Sequence, residues 1–108
     1  TSIVVGDGAL SGVPGAPVLQ GLRLAPNPFN PRTTVGGALE APAVARLTVH
    51  DLRGRLVAVL HDGPMAAGPF ALAWDGRGDD GTAAAGGLYL FRLETTGASA
   101  VTKGLLLK

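Results

Sequence analysis

Residues 44–61 read Val44-Ala45-Arg46-Leu47-Thr48-Val49-His50-Asp51-Leu52-Arg53-Gly54-Arg55-Leu56-Val57-Ala58-Val59-Leu60-His61. Leu47 and Val49 alternate with Arg46, Thr48 and His50, and beyond a polar interruption the apolar residues resume through Leu56, Val57, Val59 and Leu60. A period of two marks a half-buried strand. The connection Leu52-Arg53-Gly54 suits a type I turn closed at positive φ, which Gly54 adopts without a Cβ clash. The stretch therefore predicts a β-hairpin in which Asp51 faces Arg55, Val49 faces Val57 and Leu47 faces Val59, giving one aliphatic, core-facing side. The reverse side carries Leu56, Ala58 and Leu60 opposite His50, Thr48 and Arg46. That apolar row need not face the core, so Leu56 and Leu60 are candidate assembly residues, the alternative being that loops or the N-terminal arm cover them.

The pattern continues on both sides of the hairpin. Leu22 and Leu24 alternate around Arg23, and Thr33, Val35, Gly37 and Leu39 fall on one face of a second segment. Between them, Ala25-Pro26-Asn27-Pro28-Phe29-Asn30-Pro31 holds three prolines in six residues. Proline lacks an amide donor and forces its predecessor extended, so this segment is a rigid crossover with Phe29 as its apolar anchor. After the hairpin, residues 62–69 read as a loop around Met65. Phe70, Leu72 and Trp74 then share a face, and Trp74 is a core residue. The polar loop of residues 75–81 and the small residues of 82–87 lead to a dense strand, Leu88 to Thr95, and a closing one with Val101, Leu105 and Leu107 on one face. Seventeen glycines and eight prolines punctuate short alternations, and no window holds a sustained helical period. The expectation is an all-β antiparallel sandwich of about seven strands spanning residues 22–108, preceded over residues 1–21 by a β-prone arm and a Gly/Pro tether.

The chemistry-bearing residues do not assemble into a catalytic set. The chain has no cysteine, so disulfides and thiolate chemistry are excluded. Nine basic against eight acidic residues leave a formal charge of +1 with no basic cluster, so no nucleic-acid partner is implied. No apolar run approaches the length of a membrane span. There is no G-x-S-x-G elbow and no glycine loop opening a helix, and His50 and His61 are expected on opposite sheet faces. Asp75, Asp79 and Asp80 are candidate metal ligands. Their loop fits a calcium site poorly, since Arg77 takes the third position and Asp80 the sixth, where an EF-hand needs an oxygen donor and glycine. The competing expectation is that these aspartates cap turn amides. No cofactor is implied.

The succession Leu24-Ala25-Pro26-Asn27-Pro28-Phe29-Asn30-Pro31, Leu47 to Val57, Trp74-Asp75-Gly76-Arg77, Gly86 to Leu93 and Lys103 to Lys108 resembles the immunoglobulin-like domain of flagellar hook capping proteins. It is similar, too, to the type A sorting domains that close proteins of the type IX secretion pathway. His50 stands where the family usually carries Tyr. The resemblance covers Leu22 to Lys108 and implies a seven-stranded immunoglobulin-like sandwich, extracellular or at the cell surface, without enzymatic activity. It leaves Thr1 to Gly21 unassigned. There, Ile3, Val4 and Val5 read as a β-branched strand at the end of a flexible arm, which either folds back on its own sandwich or fills an open sheet edge on a neighbouring copy. Two functions follow as expectations. In the first, the chain is a structural subunit that assembles with copies of itself, as a filament, by adding this strand to a neighbour. In the second, it is a sorting or anchoring domain of a larger secreted bacterial protein, with secretion or cell-surface machinery as partner.

Overall fold

The computed structural model describes residues 19–96 and 98–107, and the predicted arm and nearly all of its tether lie outside them. Seven strands run in the order β1 (Leu19–Ala25), β2 (Thr33–Leu39), β3 (Ala43–His50), β4 (Leu56–Met65), β5 (Gly68–Trp74), β6 (Gly87–Thr95) and β7 (Ala98–Leu106). They form two antiparallel sheets, β1-β2-β5 and β4-β3-β6-β7. This is an immunoglobulin-like sandwich in which the fourth strand pairs with the third rather than joining the sheet of the first two. The strand count and class are as the sequence predicts, and no described residue is helical.

The core is organised by aromatic rings. Phe29 packs edge-on against Trp74 at 5.8 Å and Phe91 at 6.3 Å between centroids, and Trp74 meets Tyr89 at 5.4 Å and Phe91 at 5.6 Å. All four are buried, and full burial of one such side chain is worth about 1.5–3 kcal/mol. Phe29 is the predicted crossover anchor, at 1% exposure. Its backbone locks the crossover onto β7, donating to the Leu105 carbonyl at 2.9 Å and accepting from the Leu107 amide at 2.8 Å. Tyr89, near the start of β6, donates its hydroxyl to the Ala85 carbonyl four residues upstream, the tyrosine-corner arrangement of such sandwiches. The Trp74 indole N–H donates to the Arg77 carbonyl at 2.9 Å, so both polar rims of the cluster are satisfied.

The hairpin turn forms as predicted: Gly54 has φ 85°, its amide donates to the Asp51 carbonyl, and the Asp51 amide donates to the Arg55 carbonyl. The register beyond it is different. Val49 faces Ala58 and Leu47 faces His61, because β4 carries two bulges that leave Val57 and Leu60 without direct partners on β3. Ala58 therefore enters the core at 3% exposure instead of the outer face. The first bulge is held from outside the hairpin. The Val57 carbonyl accepts from the Asp79 amide at 3.0 Å, and the Asp79 carboxylate accepts from the Val59 amide at 3.2 Å.

One further expectation is corrected, and the shared face of Val101, Leu105 and Leu107 proves to be the outer one. β4 runs on through Gly63 and Pro64 to a buried Met65, leaving Ala66 and Ala67 as the connection to β5. Proline is tolerated there because β4 is an edge strand. In β7 the core-facing set is Ala100, Thr102, Gly104 and Leu106, while Leu107 is exposed and Val101 and Leu105 are half-buried. The physical reason is space. A β-carbon at Gly104 would lie 2.7 Å from Leu24 Cδ2, 3.0 Å from Phe29 Cε1 and 3.2 Å from Phe91 Cε1. The rings of Phe29 on the crossover and Phe91 on β6 fill the volume that larger β7 side chains would need.

Candidate assembly surface

The loop after Trp74 gathers the three candidate metal ligands, and each is engaged with a backbone amide. Asp75 accepts from Arg77 N–H at 3.0 Å, Asp80 from Thr82 N–H at 2.8 Å, and Asp79 from Val59 as above. The Thr82 amide holds the Asp80 carboxyl below its ordinary range, and in the hairpin turn the Arg55 amide does the same for Asp51. Arg77 turns back to donate to the Gly81 carbonyl at 3.0 Å, which closes the loop on itself. Among the described residues no group of three acidic or histidine side chains converges as a metal set. His50 hydrogen-bonds the Thr48 hydroxyl at 2.8 Å, and His61 reaches the Gly63 and Pro64 carbonyls. These contacts describe a capped turn system and a brace on β4.

Every open-ended sandwich must protect its edge strands, whose outward amides and carbonyls are templates for another chain. At β7, Asn27 accepts from the Leu105 amide and donates to the Lys103 carbonyl, both at 3.1 Å, and Phe29 completes the cover. β4 has its two bulges and the Asp79 brace. In β1 the register shifts between Gln20 and Arg23, with Gly21 at φ 65° and a charged Arg23 on the strand. β5 differs from all three. Its sequence, Gly-Pro-Phe-Ala-Leu-Ala-Trp, holds no charge, and its register with β2 is unbroken from Thr33↔Trp74 to Leu39↔Gly68. Among the described residues no strand other than β2 pairs with it.

The core is thin along that edge. Phe70 and Leu72 point inward but are only half-buried, as are Val57 and Leu60 across the seam on β4. Beside the Asp79 loop the seam widens into a cleft of about 710 Å³ whose lining includes Arg32, Ala58, Leu60, Trp74, Arg77 and Asp79. Leu60, proposed from the sequence for an outer apolar row, thus packs against the core beside this seam.

Leu56 is placed differently. It is 49% exposed on the outer face of the four-stranded sheet, in a cross-strand row Leu56, His50, Leu90 and Lys103. The next row holds Leu88 opposite Leu105, and Leu107 lies beyond. Leu88 and Leu107 are 42% and 47% exposed, so this end of the sheet is a leucine field. Towards the opposite end, Asp62, Arg46 and Glu94 form a charged row, with Arg46–Asp62 at 3.8 Å and Arg92–Glu94 at 3.0 Å. Sequence reasoning found Leu56 and missed Leu88, Leu90, Leu105 and Leu107. The alternation in 100–108 places Val101, Leu105 and Leu107 on one face, and that face is the outer one.

With this architecture in place, the comparison with known proteins is direct: residues 27–99 match the FlgD Ig-like domain family. The chain belongs to this family. Two basal-body rod modification proteins FlgD, from Salmonella typhimurium and Salmonella typhi, are each 33% identical over 87 residues. Those matches span 80% of this chain and 37% of each relative, so the chain covers just over a third of the length of the FlgD proteins it matches. Among solved structures, dimeric latent PorU from Porphyromonas gingivalis aligns with TM-score 0.68 and 21% identity over 86% of this chain and 10% of PorU. PorZ, described as a surface component of the type-IX secretion system of the same organism, aligns with TM-score 0.59 and 23% identity over 82% and 12%. Both structures share the fold of this FlgD Ig-like domain.

Proposed function

We propose that this FlgD Ig-like domain is a non-enzymatic structural module of a bacterial secreted or cell-surface assembly, acting as a sorting or anchoring element within it. The family match across residues 27–99 carries this reading, because that match extends to proteins named for the flagellar basal body. The leucine field around Leu56 supplies a contact surface of the kind that monomeric proteins seldom leave uncovered. The test is localisation. Antibody against residues 19–107 should label intact cells, and fractionation should place the antigen at the surface or in the medium. Antigen confined to the cytosol would overturn the proposal.

One observation favours a second reading, self-assembly into a filament by strand addition to a neighbouring copy. The β5 edge is uncharged and free of bulges, with Pro69 only at its first end, and Ile3, Val4 and Val5 have the β-branched composition to pair with Phe70–Trp74. Here the test compares the whole chain with a variant lacking residues 1–18. Electron microscopy and sedimentation should show assemblies for the first and a folded monomer for the second. Assemblies unchanged by the deletion would sink this second reading.

A further inference from the structure

Within the self-assembly reading, on which this inference rests, the geometry points to β5 as the acceptor edge: we infer that residues Ser2–Val5 of a second copy add a strand there and close the seam over Phe70 and Leu72. The first support is the contrast among edges. β7, β4 and β1 each carry a device that blocks pairing along the strand, whereas β5 has only Pro69 at its first end and leaves Phe70–Trp74 in straight register without charge or bulge. Straight, uncharged edges of this kind are the ones that accept a further strand.

The second support is the unfinished core behind that edge. In a strand, successive side chains point to opposite faces, so Ile3 and Val5 share one face and Ser2 and Val4 the other. Seated on β5, the Ile3/Val5 face lies over the half-buried Phe70 and Leu72, and the Ser2/Val4 face lies beside exposed Ala71 and Ala73. Backbone pairing supplies affinity, and the two aliphatic side chains supply register.

The third support is the length of the connection and the place where the described chain begins. Leu19 pairs with Leu39, and Leu39 with Gly68, so β1 and β5 start at the same pole of one sheet. An arm reaching its own β5 would cross about three strand spacings, roughly 14 Å, which four or five residues span. Thirteen residues, 6–18, separate Val5 from Leu19. Fully extended they reach about 45 Å, and as a Gly-rich coil they average about 20 Å. The tether is longer than docking on its own β5 requires and is long enough to reach a neighbouring sandwich. Such a head-to-tail contact is heterologous and propagates unless it closes into a ring.

Cysteine pairing tests this in the whole chain, which has no native cysteine. Val4→Cys combined with Ala71→Cys should give an intermolecular disulfide ladder on non-reducing electrophoresis, lost in either single-cysteine variant and absent from Val4→Cys combined with Ser99→Cys. Both Ala71 and Ser99 are exposed, so the fold should be unaffected, which circular dichroism verifies. A ladder from the Ser99 pair alone, with assembly intact by sedimentation, would overturn β5 as acceptor while leaving self-assembly standing. An Ala71 disulfide confined to the monomer, identified by mass, would overturn the second copy as donor. No assembly and no disulfide would overturn both the inference and the self-assembly reading.

Discussion

Replacing Gly104 with alanine tests whether aromatic packing dictates the small-residue face of β7. The added methyl would stand 2.7 Å from Leu24 Cδ2, 3.0 Å from Phe29 Cε1 and 3.2 Å from Phe91 Cε1, all inside ordinary carbon contact distance. The leucine methyl can rotate away. The two rings are held by their edge contacts with each other and with Trp74 and have little room to retreat. Overpacking of this kind costs about 1–3 kcal/mol, and alanine recovers about 0.5–1 kcal/mol of the conformational entropy that glycine loses. The net expectation is destabilisation by about 1–2 kcal/mol, or a fall in melting temperature of roughly 5–15 °C for a domain of this size. Urea unfolding followed by the fluorescence of Trp74, the single tryptophan, measures it. Phe29→Leu should relieve the clash, so the double variant should be more stable than the sum of the single effects by at least about 0.5 kcal/mol. An unchanged or raised stability in Gly104→Ala, or strict additivity with Phe29→Leu, would refute the packing explanation.

Asp79→Ala removes the carboxylate that accepts from Val59, and hydrogen exchange at Val59 should accelerate while β3 and β6 amides stay protected; no change would mean that the loop does not brace β4. The amide hydrogen bonds that lower Asp51 and Asp80 below 3.8 stabilise the fold through the ionised form. That contribution is complete above pH 3.8 and disappears as pH falls through the lower folded-state values. Denaturation at a series of acidic pH values should show the loss, and Asp51→Asn with Asp80→Asn should flatten it. Tyr89 is raised above 10.0, first by burial and then by the nearby Asp51 charge. Its stabilising neutral form persists below pH 10.0 and is lost as pH rises through the higher folded value. The chain has one tyrosine, so phenolate absorbance reports this group alone, and a midpoint at or below 10.0 would contradict its placement.

What could be read from the sequence divides by the range of the interaction. The turn at Leu52-Arg53-Gly54 and the aspartate caps at Arg77 and Thr82 are closed within a few residues, so local chemistry predicts them. Phe29 and Trp74 were legible as core because a lone large ring between prolines, or in an alternating strand, has few other places to go. The β4 register was not, since the bulge at Val57 is held by Asp79, about twenty residues away, and nothing inside 44–61 encodes it. Which face of β7 turns inward was not legible for a related reason. Its most apolar residues face outward, because Phe29 and Phe91 already occupy the space on its inner side. The candidate assembly surface was half legible: Leu56 stood out by its outward parity, whereas the leucine field needs β6 and β7 side by side.

Asn27 and β7 meet across 76 and 78 positions of sequence, and Phe29 is seated by Leu105 and Leu107. Until residues up to Leu107 are available, the ring has no backbone to hold it and the aromatic cluster has no floor. A chain threaded lengthwise from its N-terminal side through a pore or ribosome tunnel therefore cannot close its core in transit. It closes only once β7 is free, so the core forms late and depends on contacts between the two ends of the domain.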